Sequence, residues 1–117
     1  MEKYIVVTGG SGFIGSNMIQ YLLLKTNKDI ISLDNYSTGL KKNHISNNRI
    51  KYIKADTKDI SNRLKLYKKK IAAIFHFGEF SRIYQSFSKM NECITSNSIG
   101  SHAVFNFCLS NKIKLIY

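Results

Sequence analysis

Apolar and polar positions fall along the chain in blocks whose period alternates between that of a strand and that of a helix. Tyr4, Ile5, Val6 and Val7 form an apolar strand that runs into a glycine turn. Phe13, Ile14, Met18, Ile19, Leu22 and Leu23 then recur at helical spacing, giving a stripe to lay on a sheet. The polar break Thr26-Asn27-Lys28-Asp29 ends that helix, and Ile30 to Asp34 reads as a short buried strand. Residues 36–48 form a polar loop, and Arg49 to Ala55 alternates apolar and basic residues as a third strand before Asp56. Asp59 to Lys70 has helical period, with Ile60, Leu64 and Tyr67 on one face. Ile71 to Phe77 is almost wholly apolar, as expected of a strand covered on both faces. Ser86 to Asn111 carries a long helical pattern with a break or bend near Asn97 to Gly100, and Ile113 to Tyr117 is a fifth strand. This alternation predicts an α/β fold: a parallel sheet of order 3-2-1-4-5, right-handed crossovers, and helices on both faces.

The turn after the first strand carries the strongest chemical signal. Gly9, Gly12 and Gly15 are spaced three apart between a strand and a helix, the context in which such a motif has meaning. Gly9 permits the tight turn, Gly12 lets a diphosphate approach the backbone, and Gly15 lets the helix pack close to the sheet. The free N–H groups at the helix start form an anion site. Asp34 ends the second strand about 20 residues on, where an acidic side chain receives the adenosine ribose hydroxyls. An Asp there accepts from the 2′-OH and repels a 2′-phosphate, selecting NAD over NADP. The plainer alternatives are a glycine-rich surface turn without a ligand and an Asp that only caps a loop.

Composition narrows the class. At 117 residues the chain is one domain with room for a core. Cys93 and Cys108 lack disulfide-scaffold or metal-ligand spacing and read as reduced thiols of a cytoplasmic protein, or as buried small hydrophobes. No apolar run approaches the ~20 residues of a membrane span, and the N-terminus enters a strand without a signal peptide. The net charge of +11 suggests nucleic acid, but Lys, Asn and Ile together make up 42 of the 117 residues, a joint excess that A- and T-rich codons produce whatever the function. The lysines are dispersed apart from Lys68-Lys69-Lys70, which close a helical segment where positive charge suits the dipole. No specific nucleic-acid site is expected, since such sites cluster basic and aromatic side chains.

Five motifs then occur in order: Thr8 to Ser16, Asp34 to Gly39, Ala55-Asp56, His76-Phe77-Gly78, and Asn97-x-x-Gly100. Together they resemble the extended short-chain dehydrogenase/reductases, the NAD-dependent sugar-nucleotide epimerases and dehydratases, over the whole chain. The resemblance implies a Rossmann-type fold, NAD as cofactor and a nucleotide sugar as substrate, with a homodimer open to the full-length protein. It implies that Phe13 and Ile14 give backbone amides to the diphosphate, beside Gly9, Gly12 and Gly15. Asp34, Asn35, Ser37, Thr38 and Gly39 would surround the adenosine ribose. Asp56 and the Thr57 amide would meet the adenine, with an N-cap role for Asp56 as the alternative. Phe77 and Gly78 would pass the nicotinamide ribose, and Asn97 would reach the cofactor from the long helix, or else be a surface Asn.

Two departures qualify the likeness. Where many epimerases have a lysine toward the diphosphate, this chain has Ser81, followed by Arg82, and Glu79 adds a carboxylate near the site. His76, inside an apolar strand, reads as a satisfied core histidine in preference to an acid–base group. The family's chemistry also needs a Tyr paired with a Lys four residues on. The only Tyr-x-x-x-Lys here is Tyr21 to Lys25, on the first helix, so no residue is assigned a catalytic role. The resemblance thus implies an incomplete N-terminal NAD-binding domain, cut after strand five, with the catalytic pair and a C-terminal substrate domain beyond Tyr117. A stand-alone NAD-binding module and a basic nucleic-acid-associated protein are the other readings. Asp34 generates a direct expectation: titration with each nucleotide finds tighter binding of NAD than NADP, and Asp34→Ala narrows the difference. Equal affinities in the unmodified chain would refute the assignment.

Overall fold

The computed structural model describes residues 2–79 and 88–117. Along these residues run β1 (Tyr4–Thr8), α1 (Phe13–Lys25), β2 (Asp29–Asp34), β3 (Ile50–Lys54), α2 (Ile60–Arg63), β4 (Ile71–His76), α3 (Met90–Ile94), α4 (Ser101–Asn111) and β5 (Lys114–Ile116). The strands form one parallel sheet in the expected order β3-β2-β1-β4-β5. The chain steps outward from β1 to β2 and β3, then returns past β1 to β4. That reversal opens a crevice at the carboxyl ends of β1 and β4, where doubly wound sheets take their ligands.

The pleat divides each strand between two cores. Ile5, Val7 and Ile30 face α1, where they meet Ile19 and Leu22. Val6, Ile31, Leu33 and Ile74 face the opposite layer, against Ile60, Leu64, Val104, Phe107 and Cys108. A bulge shifts the β1–β4 register so that Ile5 pairs with Ala73 while Tyr4 pairs with Ile71. One extra residue on β4 thereby turns Ile71 and Ile74 into the same core. Cys108 behaves as a small apolar residue, and burial pushes its thiol up to about 11.

Two expectations are corrected, and the expected break in the long helical pattern is given its form. The segment Asp59 to Lys70 is not one helix: a 3-10 turn at Thr57–Asp59 leads into the single turn of α2, and successive turns follow. Within them Tyr67 N–H donates to Leu64 O and Lys70 N–H to Tyr67 O. The carbonyl of Lys70 accepts from both Lys3 and Tyr4 N–H at 2.8 and 3.0 Å, which ties the last of these turns to the start of β1. Leu64 still reaches the core and Tyr67 still packs edge-on to Tyr4, so the face was right and the element too long. Lys68, Lys69 and Lys70 accordingly do not close a helix. The long pattern over 86–111 resolves into α3, a π-helical segment at Thr95–Gly100 and α4. The π segment lies where the break was expected; residues 86 and 87 lie outside the described residues. Finally, Phe13 and Ile14 leave the stripe of α1. They are 81% and 61% exposed and stand at the crevice instead of on the sheet.

The end of α1 depends on a residue whose role the pattern did not reveal. Arg49 donates from Nη1 to Leu23 O and from Nη2 to Thr26 O and Lys28 O, at 2.7–3.0 Å. These are carbonyls left open by the helix end and the turn beyond it. Replacing Arg49 by Ala leaves three carbonyls without a charged donor, and we expect a loss of about 1–3 kcal/mol. Denaturant or thermal unfolding of the variant checks this, and an unchanged midpoint would remove the cap from the account.

Candidate functional site

The site begins with the contact between the end of β1 and the start of α1. Gly9 has φ of +71°, and a Cβ on it would lie 2.8 Å from Phe77 O. A Cβ on Gly15 would fall inside the van der Waals radius of Gly9 O, so helix and turn touch through backbone alone. Gly12 differs. A Cβ there would find only Gly9 O, at 3.4 Å, an ordinary contact. The fold requires Gly9 and Gly15 but not Gly12, whose bare backbone borders open cavity. At that point α1 starts without a side-chain cap and without an acidic residue in its first turn. Its first N–H groups therefore keep their capacity for an anion.

Asp34, at the end of β2, faces the turn. Its Oδ2 accepts from Ser11 N–H at 3.0 Å and its Oδ1 from Tyr36 N–H at 2.8 Å, the latter in a left-handed residue with φ of 63°. Asp34 as a residue is 7% exposed. With about four acceptor positions it retains capacity beyond these two bonds. Gly39 packs against it so closely that a Cβ would lie 2.7 Å from Oδ2. The loop after β2 is tied back to the glycine turn. Leu40 N–H and Asn43 Nδ2 donate to Ser11 O, and His44 Nε2 lies 3.1 Å from Ser11 Oγ. The His44 ring stacks on Tyr52 of β3 at 3.7 Å and meets the Tyr36 hydroxyl at 2.8 Å.

A cavity of about 530 Å³ results, lined by Gly9, Gly12, Phe13, Ile14 and Gly15 at its centre. Asp34, Asn35, Ser37, Thr38, Gly39 and Thr57 line one arm, and Phe77 and Gly78 the other. Thirteen of the fifteen residues singled out in the sequence thus come together. Asp56 stands one bond behind the wall, its Oδ1 accepting from Asn35 Nδ2 at 2.7 Å. Its side chain makes no capping hydrogen bond to the 3-10 turn that follows, so the capping alternative is not what it does here. Asn97 is not part of the lining; in the π segment its Nδ2 donates to Cys93 Sγ at 3.5 Å. Ser81 and Arg82 lie outside the described residues.

The lining also includes Leu33, Ala55, His76, Glu79 and Tyr117. His76 is the satisfied core histidine expected, with Nδ1 2.6 Å from Thr8 Oγ1 and Nε2 2.9 Å from Ser101 Oγ, and burial holds its pKa below the usual histidine range. Glu79 accepts on Oε2 from Ser101 Oγ and from the Tyr117 hydroxyl. Only the carboxylate itself signalled this cluster in the sequence, because Ser101 and Tyr117 are 22 and 38 residues away. Among the described residues no group of three or more His, Cys, Asp or Glu could hold a metal ion. No helix among them is long and apolar enough to cross a membrane.

A parallel sheet whose switch point carries a glycine-turned helix start, with an acidic strand end on one side, defines a dinucleotide-binding Rossmann domain. The model of the NAD dependent epimerase/dehydratase family matches residues 5–117, and the chain belongs to that family. It is 34% identical to ADP-L-glycero-D-manno-heptose-6-epimerase of Brachyspira hyodysenteriae, over 97% of this chain and 36% of that protein. It is 31% identical to UDP-glucose 4-epimerase of Pasteurella multocida, over 83% of this chain and 30% of that protein. Among solved structures, an epimerase from Methanothermobacter thermautotrophicus superimposes with a TM-score of 0.83 at 25% identity, over 96% of this chain and 33% of that one. The chain thus spans about a third of the length of these relatives.

The glycines separate fold from ligand. Gly12→Ala should leave unfolding within about 1 kcal/mol of the unmodified chain, the scale of exchanging residues at a helix N-cap, yet weaken dinucleotide binding at least tenfold (about 1.4 kcal/mol). Gly15→Ala should destabilise the fold itself. Parallel unfolding and binding measurements check both, and a Gly12→Ala chain that binds normally would show that the open face of Gly12 is not the diphosphate's.

Proposed function

We propose that this chain is the NAD-binding part of a sugar-nucleotide epimerase or dehydratase of the UDP-glucose 4-epimerase kind. The observation that carries the reading is the open face of Gly12 at the start of an uncapped helix, inside a cavity whose two arms suit the two halves of a dinucleotide. The Phe13 and Ile14 amides would receive the diphosphate. Asp34, Asn35, Ser37, Thr38 and Gly39 would hold the adenosine ribose, with Asp34 turning away a 2′-phosphate. Thr57 and Asp56 would border the adenine, the latter acting through Asn35. Phe77 and Gly78 would flank the nicotinamide ribose. Bound NAD would supply a hydride acceptor for a carbon of the sugar.

In this reading the groups that move the sugar's proton are not among these 117 residues. Tyr21 and Lys25, which share the spacing of the family's catalytic pair, lie on α1, and Tyr21 is 55% exposed, away from the cavity lining. The substrate domain would likewise lie outside this chain. A nucleotide sugar as substrate, a homodimer in the full-length protein and a cytoplasmic location belong to the same reading; two cysteines outside any disulfide are in keeping with the last.

Saturating NAD should raise the thermal midpoint, since a ligand at 100 times its Kd stabilises the folded state by about 2.7 kcal/mol. The same chain should not convert UDP-glucose or UDP-galactose, because general acid–base groups contribute on the order of 10²–10⁴-fold. Melts with and without NAD, and analysis of the nucleotide sugars after incubation, test both. A midpoint indifferent to NAD would overturn the cofactor assignment, and conversion by the chain alone would place the chemistry on residues such as Glu79 or His76.

A further inference from the structure

The hydrogen bonds at the end of β4 run in one direction. Thr8 Oγ1 accepts from Phe77 N–H and Gly78 N–H at 3.0 and 2.9 Å, which uses both of its lone pairs. Its own proton is left for His76 Nδ1, at 2.6 Å. Nδ1 is therefore the acceptor of a neutral imidazole, a state that the lowered pKa of this buried ring also favours. The Nε2 proton goes to Ser101 Oγ at 2.9 Å, and the Ser101 proton goes to Glu79 Oε2 at 2.5 Å. The Tyr117 hydroxyl donates to the same oxygen at 2.7 Å, with its ring stacked on His76. Each bond assigns the proton of the next, and the series ends on a carboxylate. Buried networks of this kind hold a group in one orientation.

That carboxylate lines the cavity on the far side of the glycine turn from Asp34. A dinucleotide whose diphosphate lies on the turn and whose adenosine lies by Asp34 directs its other half toward Glu79. The oxidised nicotinamide ring carries a positive charge and the reduced ring none. The side chain of Glu79 is only 27% exposed, so its field on a ring in this arm is less damped than that of a surface carboxylate. We propose that Glu79, fixed by Ser101 and Tyr117, is a specificity-determining residue that makes this arm prefer NAD⁺ to NADH. The inference rests on the reading of the cavity as an NAD site.

The test is calorimetric titration of the whole chain with NAD⁺, NADH and ADP-ribose, which lacks the nicotinamide ring. In Glu79→Gln the ratio of the NADH Kd to the NAD⁺ Kd should fall about three- to tenfold, the scale of one partly screened charge, while ADP-ribose binds as before. Glu79→Ala should show the same fall, and it keeps the test in force should the Gln variant fail to fold. A ratio unchanged in the variants, or a parallel loss of all three ligands, would overturn the proposal and leave Glu79 a structural group. An unmodified chain that binds none of the three would instead overturn the NAD reading itself.

Discussion

The first turn of α1 and the glycine turn after β1 meet backbone to backbone, with Gly15 against Gly9 and no space for a carbon between them. This contact decides where the helix starts, and so where its uncapped N–H groups point. A side chain at Gly15 would lift the helix from the turn, and the N-terminal end of its dipole would leave the crevice between β1 and β4. The exposure of Phe13 and Ile14 follows from the same geometry. They belong to the first helical turn, which projects beyond the sheet edge, so their apolar side chains border the cavity and not the core.

Around that contact, two polar assemblies hold the arms of the cavity. On the β2 side Ser11 is the junction: its amide meets Asp34, its carbonyl receives Leu40 and Asn43, and its hydroxyl meets His44. The loop after β2 is thus anchored at three points, Leu40, Asn43 and His44, to the turn it must face. Stacking of His44 on Tyr52 extends the anchorage into β3. On the β4 side the junction is Thr8, whose hydroxyl takes two backbone donors and passes its proton to His76. Both junctions lie on β1, the central strand, or in the turn that follows it, so each arm is held from the middle of the sheet.

The two assemblies differ in what they leave for a ligand. Asp34 already satisfies two backbone amides and is almost fully buried, which suits a group that must discriminate by repulsion as well as by hydrogen bonding. Glu79 is held by two hydroxyl donors and is more open. The protein as a whole is strongly basic, so the carboxylates at the two arms are local exceptions to its field.

Periods and spacings along the chain pointed to the sheet order and to four of the cavity-lining residues, Gly9, Gly12, Gly15 and Asp34, because strand and helix periods and the glycine turn are local to one strand–helix unit; the other nine followed only from the resemblance to a known family. The break near Asn97 to Gly100 was visible for the same local reason, although its form, a π segment, was not. Tertiary pairing decided the rest. The helix expected up to Lys70 is replaced by turns in which Tyr67 N–H bonds Leu64 O and Lys70 N–H bonds Tyr67 O, and their end is tied to Lys3 and Tyr4 from the start of the chain. The cap of Arg49 on α1, the anchorage of His44 to Ser11 and the convergence of Glu79, Ser101 and Tyr117 join residues 21 to 38 positions apart, with no period to announce them. Such contacts exist only once the parallel strands lie side by side in the sheet.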